Sequence, residues 1–270
     1  MSQGAAGNPT VAMIEAAFVQ HGLPWRYINL EVNPGDLGAA VRGAKAMGFR
    51  GFNCSLPHKV AVMEHLDGLG ESAAVMGAVN CVVRRGDQFI GENTDGKGFL
   101  KSLQSEIDPR GKSVVLFGAG GAARAIAVEL GLAGTRRITV VNRSESRGAE
   151  LVGLLRGRLN LEAELVVANG DYGVPGETEI VINGTSIGLY APEDRLPVEL
   201  NSLRPGQVVA DVVFNPVRTR FLREASARGC RVVDGLGMLV NQGILGVQYW
   251  TGIEPDAAVM RFALESTMGL

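Results

Sequence analysis

A glycine-rich segment is the part of this 270-residue sequence whose spacing indicates chemistry most directly. The letters GAGGAAR occupy positions 118–124. They follow an apolar run and open a stretch with helical periodicity, the context that the G-x-G-x-x-G/A dinucleotide-binding motif requires. Backbone N–H groups at such a helix N-terminus face a diphosphate. The predicted cofactor-binding residues of this segment are Gly118, Gly120, Gly121 and Ala122.

The next strand predicts which dinucleotide is bound. NAD-selective domains usually place an acid at the end of this strand, where it accepts a hydrogen bond from a ribose hydroxyl. The residues at this position are instead Asn142, Arg143, Ser144 and Arg147. Because they offer donors to a 2′-phosphate, the predicted cofactor is NADP. The alternative is that Arg143 is a solvated turn residue.

Strand and helix patterns alternate throughout the region around this motif. Apolar runs predict strands at 113–117, 137–142, 163–167, 179–183, 208–213 and 230–233. Such alternation implies a Rossmann-like, doubly wound parallel sheet with helices on both faces. A polar connector at 107–111 separates it from an N-terminal α/β segment. We therefore predict an α/β protein with a substrate domain, 1–107 with 238–270, and a dinucleotide-binding domain, 108–237.

The N-terminal segment carries polar residues where a core would be apolar. Its patterns predict a helix after Asn8-Pro9-Thr10, a half-buried strand at 28–32 and a β-hairpin over 79–93. Three polar segments lie at the predicted strand ends or helix starts, at 51–59, 77–80 and 92–96. These positions are where side chains that contact a ligand are expected.

The composition argues against several classes of protein. Lys and Arg number 26 against 28 Asp and Glu, so no global positive field exists to gather nucleic acid or anionic membrane. The three cysteines are far apart, and the three histidines lack metal-ligand spacing, so no disulfide framework and no metal site is predicted. The N-terminus lacks a secretory pattern. We expect a cytoplasmic protein with a small-molecule substrate and no nucleic-acid or membrane partner; a homodimer is one candidate assembly.

The polar segments belong to a longer series of motifs in a fixed order. The series comprises NCSLPHK at 53–59, GAVN at 77–80, ENTDG at 92–96, NGTSIG at 183–188, DVVFNP at 211–216 and GLGMLVNQG at 235–243. From about Val11 onward the chain resembles the shikimate dehydrogenases. The resemblance implies an NADP-dependent oxidoreductase that interconverts 3-dehydroshikimate and shikimate, or a close cyclic polyol acid, by hydride transfer in aromatic amino acid biosynthesis.

The resemblance also implies roles for individual residues. Lys59 and Asp95 match the family's catalytic pair: Lys59 would protonate the nascent alkoxide, and Asp95 would orient it and favour its charged form. The alternatives are a solvated lysine and a helix-capping aspartate. The matching substrate-binding positions are Asn8, Thr10, Ser55, Asn80, Phe214 and Gln242. Thr185, Gly237 and Met238 match positions near the cofactor, with a core role as the alternative for Met238.

Two departures from the family pattern concern the substrate. Family members begin with a strand and a Ser-x-Ser-Pro segment that binds the substrate carboxylate. Here no first strand is indicated and Asn8-Pro9-Thr10-Val11 occupies that segment, where Asn8 is equally a helix cap. Phe214 replaces a frequent tyrosine. The reaction type is therefore better supported than the substrate, and the alternatives are a quinate or aminoshikimate paralogue and a catalytically silent dinucleotide-binding sensor.

Overall fold

The computed structural model describes residues 1–5 and 8–270, and the chain forms two compact units. The first unit is Met1–Thr94 with Val240–Leu270, and the second is Asp95–Leu239. The predicted domain boundary at 107 therefore differs from the observed division, which follows Thr94. The physical reason is the helix that begins at Asp95, since its Phe99 and Leu103 are buried in the core of the second unit.

The elements follow one another in the order that the alternating patterns indicate. The helices are α1 (Thr10–Gln20), α2 (Leu37–Ala46), α3 (His58–Ala61), α4 (Glu71–Met76), α5 (Asp95–Leu103), α6 (Gly121–Leu132), α7 (Glu145–Leu159), α8 (Arg220–Ser226), α9 (Gly235–Thr251) and α10 (Ala257–Met268). The strands are β1 (Gly51–Asn53), β2 (Gly68–Leu69), β3 (Cys81–Arg85), β4 (Gln88–Glu92), β5 (Ser113–Phe117), β6 (Arg137–Asn142), β7 (Glu162–Val167), β8 (Ile180–Asn183), β9 (Val208–Asp211) and β10 (Arg231–Val233).

The sheet of the first unit has the strand order β1-β3-β4-β2. β3 and β4 form the predicted antiparallel hairpin. The predicted strand at 28–32 is reduced to an isolated parallel bridge between Ser2 and Glu31. The N–H of Val32 donates to the carbonyl of Ser2 at 3.1 Å. Backbone pairing near the N-terminus is thus limited to this bridge, and such pairing requires no apolar side-chain pattern.

Helices α1, α9 and α10 lie together in the first unit. α1 packs against α10. A side chain at Gly243 of α9 would collide with Met13 of α1 and would press on Met260 of α10. Glycine at this position therefore lets α9 approach both neighbours closely.

The sheet of the second unit is parallel and six-stranded, in the order β10-β9-β8-β5-β6-β7. Alternate residues of β5 contribute to two hydrophobic cores: Val114 and Leu116 to one, and Val115 and Phe117 to the other. Since successive side chains of a strand point to opposite faces, both faces of the sheet are covered. This confirms the predicted doubly wound fold. Along the described part of the chain, no helix has both the length and the apolarity needed to cross a bilayer.

Candidate active site

The glycine-rich turn after β5 has the backbone geometry of a phosphate cradle. Gly118 has φ +105°, and a side chain there would collide with Thr185. Gly120, the N-cap of α6, has no side chain with which to cap the helix. A Cβ added at Gly120 or Gly121 would meet no described atom within 4 Å. The backbone donors of the helix N-terminus thus adjoin open space, and this arrangement fits a dinucleotide diphosphate.

The residues after β6 divide into structural and exposed groups. The Asn142 side chain donates to the carbonyl oxygen of Ser144 at 2.7 Å. Ser144 caps α7, since its hydroxyl accepts from the N–H of Arg147 at 3.5 Å. The side chains of Arg143 and Arg147 are exposed. The two arginines therefore remain the predicted donors to a 2′-phosphate, and Ser144 has an additional role in starting the helix.

Thr185 helps to fold the loop that follows β8. Its hydroxyl donates to Asn183 Oδ1 at 2.6 Å and accepts from the N–H of Ile187 at 3.1 Å. Asn183 in turn donates to the carboxylate of Asp211 at 2.9 Å. The predicted cofactor contact of Thr185 stays a prediction, and the structure adds a loop-positioning role.

Asp211, at the end of β9, joins two loops of the second unit. It is fully buried and accepts hydrogen bonds from Asn183, from the Thr219 hydroxyl at 2.7 Å and from the N–H of Val213 at 2.9 Å. Burial raises the pKa of Asp211 to about 6, although these hydrogen bonds oppose the shift. No role for this carboxyl was predicted from the sequence. An acid at the end of an apolar strand is the signal that could have found it.

Phe214 lies in the loop after β9 and contacts Tyr190, a residue for which the sequence predicted no role. Its ring is half-buried and meets the ring of Tyr190 edge to face, with centroids 6.3 Å apart and an interplanar angle of 89°. The N–H of Tyr190 donates to the carbonyl of Asn215 at 2.8 Å. The two loops are therefore joined by backbone and side chain.

Gly237 and Met238 lie in the first turn of α9. The N–H of Gly237 donates to Asp234 Oδ1 at 3.0 Å, and a side chain at Gly237 would collide with Ser102. Met238 packs against the core of the second unit. The core alternative for Met238 is thus supported, and its contact with the cofactor stays a prediction.

In the first unit, hydrogen bonds connect the segments that carry Lys59, Asn80 and Thr94. The carbonyl of Lys59, in α3, accepts from the N–H of Val79 at 2.8 Å. The next residue, Asn80, is buried; it donates to the Thr94 hydroxyl at 3.0 Å and accepts from the Thr94 N–H at 2.7 Å. Asp95 follows Thr94 in the chain. The turn that leads into Asp95 is thereby fixed to the segment that carries Lys59.

A second set of hydrogen bonds stabilises the segment that carries Asn80. Asn53 braces the strand end, because its side chain donates to the carbonyl of Asn80 at 3.0 Å. The Tyr27 hydroxyl donates to Asn53 Oδ1 at 2.7 Å, and burial raises the pKa of Tyr27. Burial also raises the pKa of the Cys54 thiol to about 11. Cys54 is therefore an unreactive core residue rather than a nucleophile.

The remaining predicted substrate residues of the first unit differ in their surroundings. Asn8 and Ser55 are exposed and line the same cavity. Asn8 Oδ1 accepts from the N–H of Thr10 at 3.0 Å, whereas the N-cap of α1 is Pro9, so Asn8 is not itself the cap residue. Thr10 and Gln242 are buried. Substrate binding by these four residues stays a prediction.

These features define a class of protein. A parallel Rossmann-type sheet with a glycine-rich turn, together with a smaller α/β unit that carries a lysine and a buried amide, is typical of dinucleotide-dependent oxidoreductases. Two family models match the chain: the shikimate dehydrogenase substrate binding domain over residues 8–82, and the shikimate 5′-dehydrogenase C-terminal domain over residues 235–265.

Individual proteins are similar to this chain over nearly its whole length. The shikimate dehydrogenase (NADP(+)) of Moorella thermoacetica is 45% identical over 95% of this chain and 88% of its own length. The ligand-free structure of 5-ketofructose reductase from Gluconobacter sp. strain CHM43 is 54% identical, with a TM-score of 0.96 over 98% of this chain and 96% of that one. The Thermus thermophilus shikimate 5-dehydrogenase, solved with NADP(H) and shikimate, is 34% identical with a TM-score of 0.84 over 98% and 97% of the two chains.

The chain belongs to the shikimate dehydrogenase family. The predicted family, fold class and oxidoreductase class are thereby confirmed, and the predicted cofactor, NADP, is the one named for the curated relatives.

Proposed function

We propose that this chain is an NADP-dependent oxidoreductase that interconverts a ketone and a CH–OH group, and that its substrate is an uncharged polyhydroxy ketone of the 5-ketofructose type. The observation that carries the choice of substrate is the 54% identity to the 5-ketofructose reductase over 98% of this chain. At the position of the family's first carboxylate-binding serine, the chain has Asn8, an amide whose oxygen accepts from the Thr10 N–H at 3.0 Å.

A carboxylate substrate would meet an altered set of donors at this site. The amide nitrogen of Asn8 can still donate to it, but Phe214 has no hydroxyl. Each hydrogen bond to a charged group contributes roughly 1.5–3 kcal/mol, so the donor that is missing at Phe214 weakens selection for the family's charged substrate. A neutral ketose has no carboxylate to satisfy. The 54% identity to the 5-ketofructose reductase, against 45% to the Moorella enzyme, supports the same choice.

The chemistry follows from the residues of this chain. The bound cofactor supplies the hydride that reduces the ketone carbon. Lys59 donates the proton to the ketone oxygen, and in the oxidative direction it accepts that proton from the hydroxyl. Asp95 completes the catalytic pair that matches the family, while Asn80 fixes the turn that leads into Asp95. The turn at Gly118 and Gly120 binds the diphosphate.

A second candidate substrate pair is 3-dehydroshikimate and shikimate. It is favoured by the motif residues of the first unit, since Lys59, Asn80 and Gln242 stand at the positions that match the family. The curated relatives with this activity cover nearly the whole chain.

Initial rates separate the candidates. We expect NADPH oxidation with 5-ketofructose at a kcat/KM at least about 10-fold above that with 3-dehydroshikimate, the factor that one lost hydrogen bond to a charged group implies. The opposite ratio would establish the shikimate assignment. Cofactor binding without turnover of either ketone, or of shikimate and quinate with NADP⁺, would support the dinucleotide-binding sensor.

The proposal extends to compartment and assembly. The three cysteines are buried thiols, which suits the reducing cytoplasm. The enzyme acts on small molecules rather than nucleic acid and functions as a homodimer. Light scattering of the purified protein should give about twice the 28.5 kDa chain mass; a monomer mass would refute the dimer.

A further inference from the structure

One aromatic residue of the second unit has an unfavourable backbone conformation. Tyr190 has φ +57°, in the left-handed region. Among the described residues other than glycine, only Asn160 shares a positive φ, and Asn160 is the C-cap of α7, where this conformation is common. Tyr190 ends no helix. For a bulky side chain the conformation is an outlier, and such outliers occur at functional sites.

The surrounding loops hold Tyr190 in this conformation. Its N–H donates to the carbonyl of Asn215 at 2.8 Å. The preceding residues are fixed by Asn183, whose side chain donates to the carbonyl of Ile187 at 3.2 Å and to Asp211 at 2.9 Å. The strained residue is therefore supported from both of the loops that follow β8 and β9.

The side chain of Tyr190 is placed for a ligand rather than for the core. Its ring packs edge to face on Phe214, yet 70% of the residue is exposed. The hydroxyl accepts or donates no hydrogen bond within the described residues. A large exposed aromatic ring with an available hydroxyl, fixed by a rigid loop, is the arrangement expected of a binding contact.

We propose that Tyr190 is a substrate-specificity residue whose hydroxyl hydrogen-bonds the polyhydroxy ketone, while its ring and that of Phe214 form an apolar wall for the carbon skeleton. This inference rests on the proposed function. Phe214 lacks the hydroxyl donor that a tyrosine would supply at that position. Tyr190, whose ring contacts that of Phe214, supplies a hydroxyl instead. A phenol hydroxyl both donates and accepts, which matches a sugar hydroxyl.

The test compares two tyrosines of the second unit that form similar aromatic pairs. Tyr172 meets Phe117 edge to face at 6.1 Å, so Tyr172→Phe is the matched control. We expect Tyr190→Phe to raise KM for 5-ketofructose about tenfold, with kcat and the dissociation constant of NADPH changed less than twofold. Tyr172→Phe should leave all three unchanged. Tyr190→Gly should raise KM at least as much without lowering Tm, because glycine adopts the left-handed conformation freely.

Each outcome decides between the two proposals. An unchanged KM in Tyr190→Phe overturns the specificity role, as does an equal loss of NADPH affinity, which would indicate a general loop defect. If the wild-type enzyme reduces only 3-dehydroshikimate, the proposed substrate is wrong, and KM for 3-dehydroshikimate in Tyr190→Phe then decides the role of Tyr190. Turnover of neither ketone overturns both.

Discussion

Asn80 holds Thr94 with both ends of its side-chain amide, donating to the hydroxyl at 3.0 Å and accepting from the backbone N–H at 2.7 Å. The amide is buried, and the residue after Thr94 is Asp95. A side chain assigned to the substrate from sequence thus also defines where α5 begins.

Replacement of Asn80 should therefore affect both stability and catalysis. Asn80→Ala leaves the buried N–H of Thr94 without this acceptor, so we expect the free energy of unfolding to fall by about 1–3 kcal/mol. Because the turn before Asp95 loosens, kcat should fall as well as KM rise. Urea unfolding and steady-state kinetics measure the two effects. Unchanged kcat with a raised KM would leave Asn80 as a substrate contact only.

Removal of the proton donor should abolish most of the chemistry without unfolding the protein. Lys59→Met should lower kcat by about 10²–10⁴-fold, the usual contribution of a general acid. The matched control is Lys45→Met, since Lys45 forms a surface ion pair with Asp67 at 2.7 Å. Circular dichroism should be native for both variants. Normal turnover by Lys59→Met would remove the assignment.

The cofactor preference should depend on two exposed arginines. In the double variant Arg143→Ala/Arg147→Ala, we expect KM for NADPH to rise about 10–100-fold, because charge-assisted hydrogen bonds to the 2′-phosphate are lost. KM for NADH, which lacks that phosphate, should change little. Arg158→Ala, an exposed arginine in the last turn of the same helix, is the control. An equal loss for both cofactors would contradict a phosphate contact.

Stability should depend on pH through Asp211. Its pKa in the folded protein is about 6, above the ordinary 3.8, so the native state binds this proton more tightly than the unfolded chain does. The resulting stabilisation is complete below about pH 4 and is lost as pH rises through about 6, a loss of about 3 kcal/mol. The unfolding free energy of wild type minus that of Asp211→Asn should decline over this range in urea titrations. A pH-independent difference would refute the shifted pKa.

Restoration of carboxylate binding should change the substrate preference. In the triple variant Asn8→Ser, Thr10→Ser and Phe214→Tyr, we expect kcat/KM for shikimate to rise by about 10²–10⁴-fold. Activity with 5-ketofructose should not rise. Wild-type protein that oxidises shikimate efficiently would show that Asn8 and Thr10 already bind a carboxylate.

The periodicity of apolar residues and the amino-acid composition predicted most strands and helices of the second unit. The strand β5, its glycine turn and helix α6 follow from apolar alternation, the spacing of glycines and the absence of a helix breaker. The capping role of Ser144 required more than this motif, because it depends on the backbone angle at the start of α7. Tyr190 was missed because a positive φ at a tyrosine has no sequence signature.

The first unit was harder to predict for a related reason. The bridge between Ser2 and Glu31 is formed by backbone hydrogen bonds of Ser2 with Leu30 and Val32, so no side-chain pattern at Ser2 indicates this pairing. The connector at 107–111 has the polar, turn-rich composition of a linker and therefore predicts a boundary there. The compact units divide after Thr94 instead, because Phe99 is buried in the core of the second unit.

The first unit consists of two segments that are far apart in the sequence, and this has a consequence for folding. α1 packs on α10, so residues from both ends of the chain must meet before this unit is complete. The second unit is built from the continuous segment Asp95–Leu239 and needs no residue from outside it. Closing the first unit is by contrast a long-range step, and long-range contacts form more slowly than local ones.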